Sequence, residues 1–224
     1  DSLRSLGVET IDLMQFHVWQ DDFVNDDGWK KTIEKITKSG KVRYWGISAN
    51  DYQPSNCIKA LDTGLISTVQ LIFNVFHQLP IERLFPYAKE HNIGLIARVP
   101  LDEGGLTGKF DLSTTFDEGE LRYSYFAGER LVELIKRTDK LKEVSKDEAE
   151  SLTELALRFI LSFDEISTVI PGLRRIKHVE ENTSVSDGRK LSQELLNKLR
   201  EHSWERNFID ESDPALKDSG YMEI

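Results

Sequence analysis

Cysteine is almost missing. Cys57 is the only one among 224 residues, which excludes an intramolecular disulfide framework and a thiolate-held metal cluster. A lone thiol in what reads as a helix is a packed small side chain. Long apolar runs are missing too: nothing approaches the roughly 18 consecutive apolar residues that a membrane helix needs. The first residues, DSLRSLG, lack the basic and then apolar pattern of a secretory leader. The expectation is a soluble, cytoplasmic protein with no membrane partner. Positive charge is also scarce, with 29 Lys and Arg against 39 Asp and Glu and a formal net charge of −10. Nucleic acid is therefore not expected as a partner, because phosphate-backbone binding rests on basic surface. A small anionic ligand needs only local cations and stays open. Nothing in the composition bears on oligomeric state.

A hydrophobic content of 39% over this length can bury one sizeable core, so one globular domain is expected. The stretch Ile11–His17, IDLMQFH, has a strand's composition and stops on a histidine. Asp27–Lys38 carries Trp29, Ile33 and Ile36 at amphipathic helical spacing and ends at Gly40. Lys41–Ser48, rich in β-branched and aromatic residues, is a second strand. Pro54 opens a helix that Gly64 ends. Ser67–Phe76 is a third strand, Ile81–Glu90 a helix, and IGLIARVP, closed by Pro100, a fourth strand. Alternation of strands and helices with short links predicts parallel βα units.

Between Leu101 and Glu150 the rhythm breaks. A glycine-rich loop precedes a charged helical stretch from about Tyr125 to Val144, an insertion of the kind that usually serves as a functional loop or lid. Ser151 and Glu154 then form a capping box for a helix over Leu152–Ser162. Ser167–Ile170 is a fifth strand, followed by helices Ile176–Ser186 and Ser192–His202. From Asn207 the chain is polar and acidic. The count is five βα units, where a closed barrel has eight, and the sequence begins at Asp1 on what reads as the last turn of a helix.

Ligands bind beyond the carboxyl ends of parallel strands. Those ends present His17; Ser48 with Ala49 and Asn50; Gln70 to Asn74; Arg98; and Pro171 with Gly172. They hold no carboxylate cluster and no histidine pair, so no metal site is expected. In STVIPGLRRIKHVEEN, Ser167–Asn182, a strand breaks into a helix start beside Arg174 and Arg175. Free N–H groups and guanidinium groups there suit a phosphate. His178, Glu181 and Asn182 follow at helical spacing; a solvated helix start fits the same residues. In DEGGLTGK, Asp102–Lys109, glycines allow close backbone approach to a ligand and Lys109 adds charge. Walker spacing is not present. His77, His91 and His202 read as surface or capping residues. Trp19 is a candidate pocket wall, whereas Trp29, Trp45 and Trp204 read as packing.

Taken in order, SLRSLGVETIDLMQFH, GKVRYWGIS, VQLIFN, VPLDEGGLTGK and VIPGLRR with EEN resemble the aldo-keto reductases, (β/α)8 TIM-barrel enzymes that reduce carbonyl groups with NADPH. The resemblance implies an α/β fold in which residues 1–206 form a partial barrel lacking the first three strands, with the insertion at 101–150. Residues 207–224 form a polar acidic tail. It also implies roles. His17 resembles the active-site histidine that hydrogen-bonds the substrate carbonyl. Ser48 and Gln70 would hold the nicotinamide carboxamide. Arg98, Pro100, Leu101, Gly105 and Lys109 match the loop over the pyrophosphate. Gly172, Arg174, His178, Glu181 and Asn182 match the adenosine-phosphate site, with Arg174 placed for the 2′-phosphate that separates NADPH from NADH, the alternative cofactor.

Two positions depart from the family pattern. Ala49 stands where an asparagine is usual, a contact worth roughly 1 kcal/mol, and Arg98 stands where an aromatic residue usually stacks on the nicotinamide. An arginine can stack through its planar guanidinium, or pair with a nearby carboxylate. The family's tyrosine acid, lysine and aspartate belong to the first three βα units, and none of Tyr44, Tyr52, Tyr123 or Tyr125 matches that tyrosine. The expectation is the C-terminal five-eighths of a carbonyl reductase acting on a small aldehyde or ketone, inactive as this stretch alone. A second reading is a non-catalytic NADPH-binding regulatory module of the same fold. A third, a metal-dependent barrel hydrolase with His17 as ligand, is disfavoured by the missing second strand-end histidine.

Overall fold

A computed structural model describes residues 1–17, 19–51, 53–145 and 147–204; the 207–224 tail expected from the sequence lies outside the described residues. The elements run α1 (Ser2–Leu6), β1 (Ile11–Phe16), α2 (Asp27–Lys38), β2 (Val42–Ser48), α3 (Ile58–Leu61), β3 (Thr68–Ile72), α4 (Pro80–Glu90) and β4 (Gly94–Arg98). They continue with α5 (Leu121–Tyr125), α6 (Glu129–Ser145), α7 (Leu152–Leu161), β5 (Ile166–Val169), α8 (Ile176–Ser184) and α9 (Gln193–Arg200). The five strands make one sheet in chain order, β1-β2-β3-β4-β5. The βα alternation read from the sequence is that of a parallel α/β sheet, as expected for part of a (β/α) barrel.

Two compact units divide the chain. The first comprises Asp1–Leu71 and Leu79–Ile96. In it β1 pairs with β2 through Ile11 opposite Val42 and Phe16 opposite Ile47, and β2 pairs with β3 through Gly46 opposite Thr68 and Ser48 opposite Gln70. Side chains alternate along a strand, so Trp45, Ile47, Val69 and Leu71 form a buried apolar face while the other face carries Gln15, Gly46, Ser48 and Gln70. α2 starts at Asp26, whose side chain accepts from Gly28 N, and it buries Ile33. Trp19 is not a pocket wall. It is 2% exposed and packs edge-on against Phe16, Phe23 and Trp29. Cys57 is buried with its thiol donating to Pro54 O, and burial pushes it up to about 12, so it is chemically quiet.

The second unit comprises Ile72–Gln78 and the chain from Ala97 onward. The strand expected over Ser67–Phe76 stops at Ile72 because Asn74 turns the backbone: its Oδ1 accepts from both Phe76 N and His77 N. His77 is consequently buried rather than on the surface. The helix expected over Tyr125–Val144 is two helices, since Gly128 adopts φ 60° between them. Ser151 caps α7 by accepting from Glu154 N, but the returning Glu154 carboxylate reaches Glu150 N rather than Ser151 N. Phe73 and Phe159 are buried side by side with Phe163 edge-on to both, and Trp204 packs on Phe76 and under Arg137.

Candidate functional site

In the first unit, the exits of β1 to β3 present a polar row. Ser48 and Gln70 are paired neighbours, and His17 follows Phe16, the partner of Ile47. Trp19 N donates to Ser48 O and Ala49 N to Gln70 O, both at 2.8 Å, which fixes where these strands end. His17 is exposed, and among the described residues neither its ring nor Ser48 Oγ has a hydrogen-bond partner. Asn50 Oδ1 accepts from Gln53 N at 3.1 Å.

One step below lie Gln15, Gly46 and Thr68, again in register. Gln15 Nε2 donates to Gln70 Oε1 at 3.2 Å. The two side chains reach each other across β2 because position 46 is glycine: a β-carbon there would stand 2.2 Å from Thr68 Oγ1 and 3.1 Å from Gln15 Cγ. Gln15 Oε1 and Thr68 Oγ1 are buried and have no partner among the described residues.

The second unit carries the glycine-rich loop. After β4, Val99 adopts φ 53°, followed by Asp102 at 51° and Glu103 at 53°. A β-branched residue in the left-handed region is strained by about 1–3 kcal/mol, and such strain persists only where surrounding bonds impose it. Here Asn74 Nδ2 and Asp102 N both donate to Val99 O, at 2.9 and 3.1 Å, and Leu106 N closes on Leu101 O. Asp102, 1% exposed, accepts from the Tyr125 hydroxyl at 2.9 Å. Gly105 lies under that carboxylate, with no room for a β-carbon: Asp102 Oδ2 would be 2.8 Å away and Leu134 Cδ1 3.0 Å. Phe110, Phe116 and Phe126 cluster against the loop, Phe110 covering Gly104. Arg98 and Leu101 are half-buried, Pro100 buried, and Lys109 exposed.

At the start of α8, Asn182 is buried and its Nδ2 donates to Gly172 O at 3.0 Å, tying the strand exit to the helix. Glu181 is exposed beside Lys177, His178 is half-buried, and Arg174 is exposed with no ion pair among the described residues. Leu173 and Ile176 flank it, Ile176 at 79% exposure. The structure thus gathers His17, Ser48 and Gln70 in one unit. In the other it sets Arg98, Pro100, Leu101, Gly105 and Lys109 along one loop, and Gly172, Arg174, His178, Glu181 and Asn182 around one helix start. Sequence reasoning missed Gln15, although its place two residues before His17 in a period-2 strand puts it on the same face. It placed Asp102 in the glycine-rich loop but missed its bond from Tyr125, which no sequence signal announces.

Parallel strands in chain order, alternating with helices, place the chain in the α/β class to which the (β/α) barrels belong. The sequence model of the aldo/keto reductase family matches residues 1–203, and the chain belongs to that family. It is 30% identical over 205 residues to the uncharacterized oxidoreductase YqkF of Bacillus subtilis, covering 90% of this chain and 63% of that one. To the aldo-keto reductase yakc [NADP(+)] of Schizosaccharomyces pombe it is 27% identical over 209 residues, covering 89% and 59%. The glycerol dehydrogenase of Gluconobacter oxydans superposes with a TM-score of 0.77 at 26% identity, over 95% of this chain and 64% of that one. The chain spans 51% to 63% of the length of the curated relatives it matches. Among the described residues, no helix is long and apolar enough to cross a membrane, and no group of three His, Cys, Asp or Glu could hold a metal ion.

Proposed function

We propose that this chain is part of a cytoplasmic NADPH-dependent reductase that moves a hydride between nicotinamide and a small aldehyde or ketone. The observation that carries the reading is the row at the exits of β1 to β3, where an exposed histidine stands beside a hydroxyl and an amide in register. The residues fit the cofactor chemically. Ser48 Oγ and Gln70 Nε2 make no hydrogen bond among the described residues, and a carboxamide needs such partners. Arg174 is a cation without an ion pair among the described residues, suited to a phosphate dianion. NADPH, when bound, supplies the hydride. The name of the Schizosaccharomyces pombe relative, which specifies NADP(+), supports the phosphorylated form over NADH.

This chain's own groups have distinct tasks. Ser48 and Gln70 orient the carboxamide, and His17 donates a hydrogen bond that polarises the substrate carbonyl. The loop from Arg98 through Pro100, Leu101 and Gly105 to Lys109 receives the pyrophosphate. Gly172, Arg174, His178, Glu181 and Asn182 receive or shape the adenosine phosphate. Proton delivery belongs, by resemblance to the family, to a tyrosine that none of these positions matches. Without that acid the rate falls about 10²–10⁴-fold, so the 224 residues alone are proposed to bind cofactor with negligible turnover.

The test is titration of the chain with NADPH and NADH by quenching of tryptophan fluorescence, followed by assay of aldehyde reduction. NADPH is expected to bind at least tenfold more tightly, with Arg174→Ala abolishing the difference. Equal binding of the two by the parent chain overturns the assignment of Arg174, and turnover at the level of active relatives overturns the reading of missing acid catalysis.

A further inference from the structure

Gln70 offers a ligand one of two opposite chemistries. An amide presents either an acceptor oxygen or donor N–H groups, and its hydrogen-bond partners decide which end faces out. In this structure Gln70 Oε1 accepts from Gln15 Nε2 at 3.2 Å, while Gln70 Nε2 makes no hydrogen bond among the described residues. The oxygen is therefore held inward over β2 and the nitrogen is left for a ligand. Gln15 can hold it only because Gly46 leaves the space between the strands clear, with Thr68 Oγ1 and Gln15 Cγ closing on where a β-carbon would be.

We infer that Gln15 is a positioning residue that fixes the Gln70 amide nitrogen-outward, so that the sheet presents a donor to a carbonyl oxygen of the bound ligand. The inference rests on the reading of Gln70 as a partner of the cofactor carboxamide. On that reading Gln70 grips the carboxamide oxygen and ignores its NH₂ group. Gln15 itself touches no ligand and acts through Gln70. Donor specificity at the site is thereby set two residues before His17, on a strand that faces the ligand only through its last residues.

The 3-acetylpyridine analogue of NADP⁺ keeps the oxygen and replaces NH₂ by methyl, so it reads the orientation directly. The parent chain is expected to bind it within about threefold of NADP⁺. Gln15→Met removes the donor at similar volume, and both forms are expected to weaken several-fold alike, because Gln70 must then be ordered on binding. Gln15→Glu, assayed at high pH where its carboxylate accepts from Gln70 Nε2, turns the Gln70 oxygen outward. The analogue is then expected to lose at least tenfold against NADP⁺. An affinity ratio unchanged in Gln15→Glu overturns the inference, as does a parent chain that already discriminates tenfold. Side-chain amide resonances give a second readout independent of cofactor: the Gln15 NH₂ signal should move upfield in Gln70→Met, and an unmoved signal overturns the bond itself. If the parent binds neither nucleotide, the cofactor reading of Gln70 fails and the inference with it, while a shifted Gln15 resonance still reports the contact between the two side chains.

Discussion

The Tyr125 hydroxyl donates to the buried Asp102 carboxylate at 2.9 Å, joining the short helix α5 to the strained turn after β4. The carboxylate lies against Gly105. Removing this donor by Tyr125→Phe leaves a buried carboxylate short of a hydrogen bond, at a cost of about 1–3 kcal/mol. Urea unfolding of the second unit should register that loss. NADPH affinity should fall by up to about tenfold, the equivalent of 1.4 kcal/mol, because the loop proposed to receive the pyrophosphate loses an anchor. A variant with parental stability and parental affinity removes Tyr125 from the account.

Val99 tests whether backbone strain in the same loop is kept for binding. Its φ of 53° costs about 1–2 kcal/mol for an L residue, whereas glycine adopts it freely and loses roughly 0.5–1 kcal/mol through unfolded-state entropy. Val99→Gly should therefore leave the fold as stable as the parent or stabilise it by up to about 1 kcal/mol. The same change should weaken NADPH binding, since the carbonyl that accepts from Asn74 and Asp102 then sits on a freer backbone. A clear fall in thermal stability shows that Val99 packs for the fold and stores no strain for the site.

These two positions also mark where the sequence ceased to be informative. The βα alternation, the strand exits at His17, Ser48 and Gln70, and the loop and helix around Lys109 and Gly172 follow from hydrophobic period and glycine placement, both local signals. The positive φ at Val99 is not local. It is imposed by Asn74, 25 residues earlier in the chain, whose side chain also ends β3 four residues sooner than its apolar run suggests. Tyr125 meets Asp102 across 23 residues, and nothing in either neighbourhood announces the other. Trp19 was ambiguous for a different reason: an aromatic residue after a polar strand end suits a pocket wall as well as a packed cluster, and only Phe16, Phe23 and Trp29 around it decide.

Acid sensitivity should come from Arg158. Its guanidinium donates to both oxygens of Asp187, at 2.8 and 2.9 Å, and to Glu154 at 2.7 Å, while Arg189 also reaches Glu154. The bonds from Arg158, and then from Arg189 N, hold the Asp187 carboxyl far below the usual range. Burial pushes Glu154 up, but the bonds from Arg158 and Glu150 N and the two guanidinium charges leave it lowered. Unfolded, both titrate near pH 4, at about 3.9 and 4.3. The folded state thus binds fewer protons below that range. The stabilisation is complete above roughly pH 5 to 6 and is lost as pH falls past 4 toward the folded values. Asp187→Asn should lower the urea midpoint at pH 7 and flatten its decline between pH 6 and 3. Parent and variant profiles that run parallel would show that Asp187 does not supply the pH dependence.

Gly46 should be the least replaceable position in the first unit, and for reasons of space rather than backbone conformation. A β-carbon would stand 2.2 Å from Thr68 Oγ1, 3.1 Å from Gln15 Cγ and 3.2 Å from Thr68 O. Overpacking of this kind typically costs about 1–3 kcal/mol, and Gly46→Ala should lose at least that in thermal or urea unfolding. The closest collision is with a side-chain hydroxyl that is buried and has no partner among the described residues. Thr68→Ala alone should therefore be close to neutral, since it removes a desolvated group along with a methyl. Combined with Gly46→Ala, it should recover part of the lost stability, a coupling of the size neighbouring residues show, about 0.5–3 kcal/mol. Full recovery is not expected, because Thr68 O is backbone and cannot be removed. Strict additivity of the two substitutions would mean that β2 moves bodily to admit the methyl group. The Gln15–Gln70 bond that passes over Gly46 should then break in Gly46→Ala, which the Gln15 side-chain amide resonance reports directly.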